Sequence, residues 1–226
     1  SSLTNLVSNA GVVANDVTGV GTARTGIAAC EYGGDKGIFG FGHNGSIRVS
    51  TTNLVTNAGV VGSDVTGVGT ARHYVSACEF GGDKGIFGFG SVAAGKSNLS
   101  NLISNTGVVA SDTAGVGTDL GYRAACEYGE DKGIFGFGEP NTGVTNLVSN
   151  TGVVASDTTG VGTARYGPMA CGYGYDKGIF GFGYDGSNQS MTNLVSNAGV
   201  VASDVTGVGT ARAHGGACEY GGDKGI

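Results

Sequence analysis

The phrase DKGIFGFG starts at Asp35, Asp83, Asp131 and Asp176, and DKGI returns at Asp223. It belongs to a longer unit. Each copy also carries a variant of TNLVSNAGVVASDVTGVGTAR, followed by a variant of ACEYGG. Aligned on the asparagine of that stretch, Asn5, Asn53, Asn101, Asn146 and Asn193 are separated by 48, 48, 45 and 47 residues. Cys30, Cys78, Cys126, Cys171 and Cys218 keep the same steps. Self-similarity at roughly 20–50 residues is the mark of solenoids, propellers and arrays, in which a unit buries its apolar face only against its neighbours. The 226 residues therefore read as one domain, 1–226, of five repeats of about 47 residues beginning near residues 4, 52, 100, 145 and 192.

Within the copy at 145–183, TNLVSNTGVV is rich in β-branched residues and ASDTTG has turn chemistry. VGTAR reads as a short, weak strand, MACGYG as a strand of small residues, and GYDKG as a hairpin turn. In GIFGFG, Phe180 and Phe182 alternate with glycine at the strand period of two, so both rings are expected on one face. No window shows the 3, 4, 7 spacing of a helix. Four short antiparallel strands per unit of about 47 residues is the blade of a β-propeller. The expected fold is all-β: five blades around a channel lined by small residues, closed by pairing the N- and C-terminal strands. The cyclic step from Asn193 to Asn5 is 38 residues, short of the other four because FGFG and its loop are missing from the fifth copy.

Composition narrows function by exclusion. Glycine is abundant at 47 residues but proline numbers only 2, which excludes collagen and Pro-rich linkers. No apolar run approaches the roughly 18 residues of a membrane-spanning helix, and SSLTNLVSN shows no signal peptide. A net charge of -6 argues against nucleic acid. Five cysteines at one equivalent position, with no CxxC, read as buried strand thiols; a thiol ring around the axis taking a soft metal is the sharper alternative. The repeated aspartates read as turn formers bonding their own backbone, and no EF-hand pattern is present, so no metal or cofactor is expected. Almost every acid has equivalents in matching turns, and no Ser–His–Asp set, HExxH or P-loop occurs, so an enzyme is not expected.

The order TAR, small apolar strand, glycine turn, KGIFGFG, variable loop and TNLVSN resembles the kelch repeat across all five copies. It is closer still to the highly repetitive kelch-like arrays of phage-associated and environmental sequences. The family's outer-strand tryptophan is missing, and FGFG stands where a glycine doublet is usual. The resemblance implies a propeller used for binding.

Up-and-down strands put turns alternately at two ends. The SDVTG and YGGDK turns are expected on one face, nearly invariant and summing to -10; the segments after FGFG and after TAR are expected on the other, different in every copy and summing to +4. Loops on a rigid scaffold carry recognition. Arg72, His73, Tyr74, Tyr122, Arg165, Tyr166, Tyr184 and His214 on the variable face are the candidate ligand-binding residues, with His43 beside them. The expected function is multivalent, lectin-like carbohydrate binding through loops between blades, with glycans or surface glycoproteins as partners and self-association into a homo-oligomer open. An extracellular or virion-associated setting is favoured. The alternative is a non-catalytic structural, designed or virion-associated scaffold with no small-molecule ligand.

Overall fold

Small residues begin the first strand in three of the five repeats, and in every repeat a turn with positive φ sends the chain back along it. In the computed structural model, which describes residues 1–226, this hairpin is built five times. The first sheet is β1 (Ala28–Tyr32), β2 (Lys36–Gly40) and β3 (Thr52–Val55). The second is β4 (Ser76–Phe80) and β5 (Lys84–Gly88), then, after a small hairpin of β6 (Ser91–Val92) and β7 (Gly95–Lys96), β8 (Ser100–Ile103). The third is β9 (Ala124–Tyr128), β10 (Lys132–Gly138) and β11 (Thr142–Val148); the fourth is β12 (Met169–Tyr173), β13 (Lys177–Gly181) and β14 (Thr192–Val195). The last is a hairpin of β15 (Glu219–Tyr220) and β16 (Lys224–Gly225). All pairing is antiparallel and there is no helix.

The hairpin turn explains its own glycines. Gly33 and Gly34 have φ of 65° and 75°, a region costly for side chains. The Gly33 amide also donates to the Asp83 carbonyl of the next repeat at 2.7 Å, and Gly81, Gly129 and Gly174 do the same to Asp131, Asp176 and Asp223. The outer edge is reduced. Two isolated bridges, Thr52 to Val65 and Val55 to Val61, stand where a fourth strand was expected, and VGTAR adds only single bridges, Arg165 to Thr142 and Arg212 to Gln189.

The core lies between consecutive sheets. One cluster joins Tyr32, Ile38 and Phe41 to Val75, Phe87 and Ile103; the next two repeat the arrangement one and two units on. The two phenylalanines of FGFG do not share a face. β2, β5 and β13 end before the second, β10 has a register shift at it, and Phe41, Phe89, Phe137 and Phe182 sit at φ of 60–62°. That left-handed turn points each second ring at the following sheet, where Phe41 meets Phe87 edge-on at 5.1 Å. The first ring faces the preceding sheet, Phe135 lying over Gly88 and Phe180 over Gly136.

The expected pairing of N- and C-terminal strands is not formed. β16 bonds only to β15, and the N-terminal hairpin (Thr4 to Val17, Val7 to Val13) pairs only with itself. Accordingly Tyr220 is 51% exposed, whereas Tyr32, Phe80 and Tyr128 are at most 4%.

Candidate functional site

Each repeat knits itself to the one before through the same four side chains. Arg72 donates to Asn101 Oδ1; Asn101 Nδ2 donates to Asp112 at 2.9 Å; Asp112 accepts from Thr70 Oγ1 at 2.7 Å. Arg165, Asn193, Asp204 and Thr163 repeat the chain, as do Arg123, Asn146, Asp157 and Thr118. Each guanidinium also lies over the second phenylalanine of the preceding repeat: Arg72 over Phe41 at 4.8 Å, Arg123 over Phe89 and Arg165 over Phe137 at 4.0 Å. Arg72 and Arg165 are fully buried. They belong to the scaffold, which separates them from the other six candidate ligand-binding residues.

The same network corrects the charge division. Asp64, Asp112, Asp157 and Asp204 reach the TAR segments, at the end of the sheets where the variable loops emerge, and bond across repeats instead of within their own turns. The YGGDK end then holds five Asp, five Glu and five Lys, or -5; the remaining eight acids and seven bases leave -1 at the other end. The two ends differ in acidity, without the opposition of sign expected.

The other six candidates converge. Gly26, Tyr74, Tyr122, Gly167 and His214 occupy one equivalent position, all left-handed, with φ of 53° at both tyrosines and 59° at His214. Backbone bonds tie neighbours together: Tyr74 to Gly26 and Gly167 to Tyr122 at 2.8 Å, His214 to Gly167 at 3.0 Å. Tyr74 stacks on Tyr122 at 3.8 Å, Tyr122 lies 5.8 Å from Tyr166 and 5.7 Å from His214, and Tyr166 lies 5.4 Å from Tyr184. His73 continues the cluster, 4.2 Å from Tyr74 and 5.9 Å from His43. Arg48 Nε donates to His73 Nδ1 at 3.1 Å, and burial, with Arg48 and His43 nearby, pulls the His73 pKa down. Lys96 caps the Tyr122 ring at 4.9 Å.

This collar rims a cavity of about 570 Å³ to which all five repeats contribute, Val75, Arg123 and Pro168 among them. Val75, Arg123, Pro168 and Gly215 also line a narrower space of about 160 Å³, whose waist is Ala29, Ala77, Ala125, Ala170 and Ala217. The same alanines open into a third cavity of about 420 Å³ bearing Glu31, Glu79, Glu127 and Glu219. Sequence reasoning named the aromatic residues but missed that the residue four before each repeated cysteine lies at a common mouth. The cysteines do not form a thiol ring: the Cys30, Cys78, Cys126 and Cys171 sulfurs lie against Gly85, Gly133, Gly178 and Gly225 between sheets. No three His, Cys, Asp or Glu side chains converge to hold a metal.

The acidic end carries a pH dependence. Burial, then Glu127, Glu31 and Asp83, push the Glu79 carboxyl up to about 7, and burial with like charge also raises Glu127 and Glu219. A carboxyl raised in the folded state stabilises fully below the unfolded value near 4.5, and that contribution is lost as pH rises through about 7. Discounted for solvent screening of a half-exposed group, Glu79→Gln should stabilise the chain by about 1 kcal/mol at pH 8 and leave it unchanged at pH 4. Urea midpoints at the two pH values give the difference, and an equal shift at both would contradict it.

The chain matches no protein-family model and no curated protein. Its class is therefore set by its own architecture: an all-β repeat protein of small antiparallel sheets.

Proposed function

We propose that this chain is a five-bladed, kelch-like β-propeller acting as a non-catalytic carbohydrate-binding module, with the glycan held at the aromatic collar. The five-bladed reading is supported by the cavities that all five repeats line, and by a network divided between the chain ends. Asn5 bonds Asp16 at 2.8 Å, as Asn101 bonds Asp112, while Arg212 lies 4.0 Å over Phe182 with no hydrogen bond to an asparagine. The two ends thus carry complementary parts of the residue set found whole in the other networks.

The observation that carries the functional reading is the gathering of Tyr74, Tyr122, Tyr166, Tyr184, His73 and His214, from segments that differ in every copy, into one cluster, of which Tyr74, Tyr122 and His214 line a single mouth. Aromatic faces pack against the apolar face of a sugar ring, while phenol and imidazole groups hydrogen-bond its hydroxyls. Holding aromatic side chains in the left-handed region costs on the order of 1–3 kcal/mol each, a strain that collects at binding sites. One collar per chain gives one site per chain, so multivalent binding to surface glycoproteins arises from a homo-oligomer.

A glycan array followed by calorimetric titration tests this. Hits should titrate near one per chain, and Tyr74→Gly with Tyr122→Gly should weaken them at least about tenfold. Glycine already holds this position in two repeats, so the urea midpoint should stay or rise. Silence across a broad array would favour the structural or virion-associated scaffold.

A further inference from the structure

At the far side of the fourth sheet a cavity of about 330 Å³ is lined by Ile179, Gly181, Phe182, Arg212, Gly216 and Ile226, among others. The same chain displays filled versions of this place. The first phenylalanine of a repeat lies on the glycine in the preceding sheet's second strand: Phe135 on Gly88, Phe180 on Gly136. It meets the second phenylalanine of that sheet edge-on, at 5.1 Å for Phe89 and Phe135 and 5.3 Å for Phe137 and Phe180. Gly181 and Phe182 are the next pair in this series, and no ring covers them: a Cβ on Gly181 would meet only Thr192, at 3.4 Å. Phe41, Phe89 and Phe137 are at most 1% exposed, while Phe182 is half-buried.

Backbone and charge point the same way. Ala28, Ser76, Ala124 and Met169 each face a glycine across the hairpin; their equivalent, Gly216, makes no backbone hydrogen bond. Arg24 and Arg123 donate to the Phe41 and Phe135 carbonyls at 3.1 Å, Arg165 donates to the Phe182 carbonyl at 2.6 Å and Arg72 donates to Asn101 alone, whereas the exposed Arg212 guanidinium makes no hydrogen bond.

We infer that this cavity is a docking site for an extended peptide that alternates aromatic residues with glycine. Its first ring seats on Gly181 against Phe182, its backbone pairs with Gly216, and a carbonyl accepts from Arg212. The recognition is strand addition with a side-chain socket, continuing the interface already present between consecutive repeats. It does not depend on the aromatic collar.

The probe is acetyl-Phe-Gly-Phe-Gly-amide, titrated into the full chain beside acetyl-Ala-Gly-Ala-Gly-amide. One phenylalanine peptide should bind per chain, at least about tenfold more tightly than the alanine control. Gly181→Val, which fills the socket where there is room for it, should abolish the difference and keep the far-ultraviolet spectrum. Tyr74→Gly should leave the peptide affinity unchanged. Appending Phe-Gly-Phe-Gly after Ile226 should block the free peptide and raise the unfolding midpoint. Equal binding of the two peptides, or binding indifferent to Gly181→Val, would overturn the assignment.

Discussion

Arg123→Ala is expected to lower unfolding free energy by about 3–5 kcal/mol, a large share of the 5–15 kcal/mol typical of a domain. Arg123 is 6% exposed, and burial pushes its pKa down to about 9 against the opposing pull of Asp157. It is retained because its guanidinium satisfies three acceptors: Asn146 Oδ1 at 2.6 Å, the Phe135 carbonyl at 3.1 Å and the Val144 carbonyl at 3.0 Å. Truncation leaves these buried acceptors unpaired, each at about 1–3 kcal/mol, and opens a void over Phe89. Lysine would not rescue it, since a point charge does not span the planar fork.

The same residue offers a sharper test. In the other copies the arginine stands six residues before the repeated cysteine, but in the third it stands three before it, and Leu120 takes the usual place. Both fit. Leu120 is 1% exposed, and Arg123 brings its guanidinium to the site that Arg72 and Arg165 reach from the other position. Leu120→Arg combined with Arg123→Val, restoring the pattern of the second copy, should recover at least about half of the stability lost in Arg123→Ala. Chemical unfolding of the three proteins decides it. A combined variant no better than Arg123→Ala would mean that the site is specific to one backbone route.

This displacement shows where the sequence was legible and where it was not. The period could be read directly as self-similarity, and the absence of helix, the hairpin around GGDK and the small residues of the first strands because each depends on neighbours within a few positions. The arginine-to-asparagine bond joins residues 23–29 apart, and the aspartate-to-threonine bond joins residues 39–42 apart across two repeats. Periodicity does not reveal such partners, so Arg72 and Arg165 read as surface groups and Asp64 as a local turn former. The collar was half legible. Variation named Tyr74, Tyr122 and Tyr166, but their convergence follows from left-handed backbone at one position, which an aromatic residue conceals where glycine would announce it. The second phenylalanine of FGFG misled for the same reason: alternation implies a strand, and Phe41 turns out of it.

Phe135→Ala should cost about 3–5 kcal/mol, because a fully buried ring is lost from the contact between the second and third sheets. Gly88→Ala should cost about 1–3 kcal/mol for the opposite reason: a Cβ there would lie 2.6 Å from Phe135 Cζ, with the ring held behind by Phe89 at 5.1 Å. Gly88 lies in β5 without positive φ, so the penalty is overpacking and not backbone strain. The two effects must then be coupled. Once the ring is gone, the alanine methyl occupies part of the space it left, and the double variant should be no less stable than Phe135→Ala alone. Urea unfolding of the wild type, both single variants and the double closes the cycle. Additivity within about 0.5 kcal/mol would show that the glycine serves the strand itself and not the neighbouring ring. A coupling above about 1 kcal/mol would instead establish that glycine and phenylalanine recur together because the ring of one repeat needs the bare backbone of the one before.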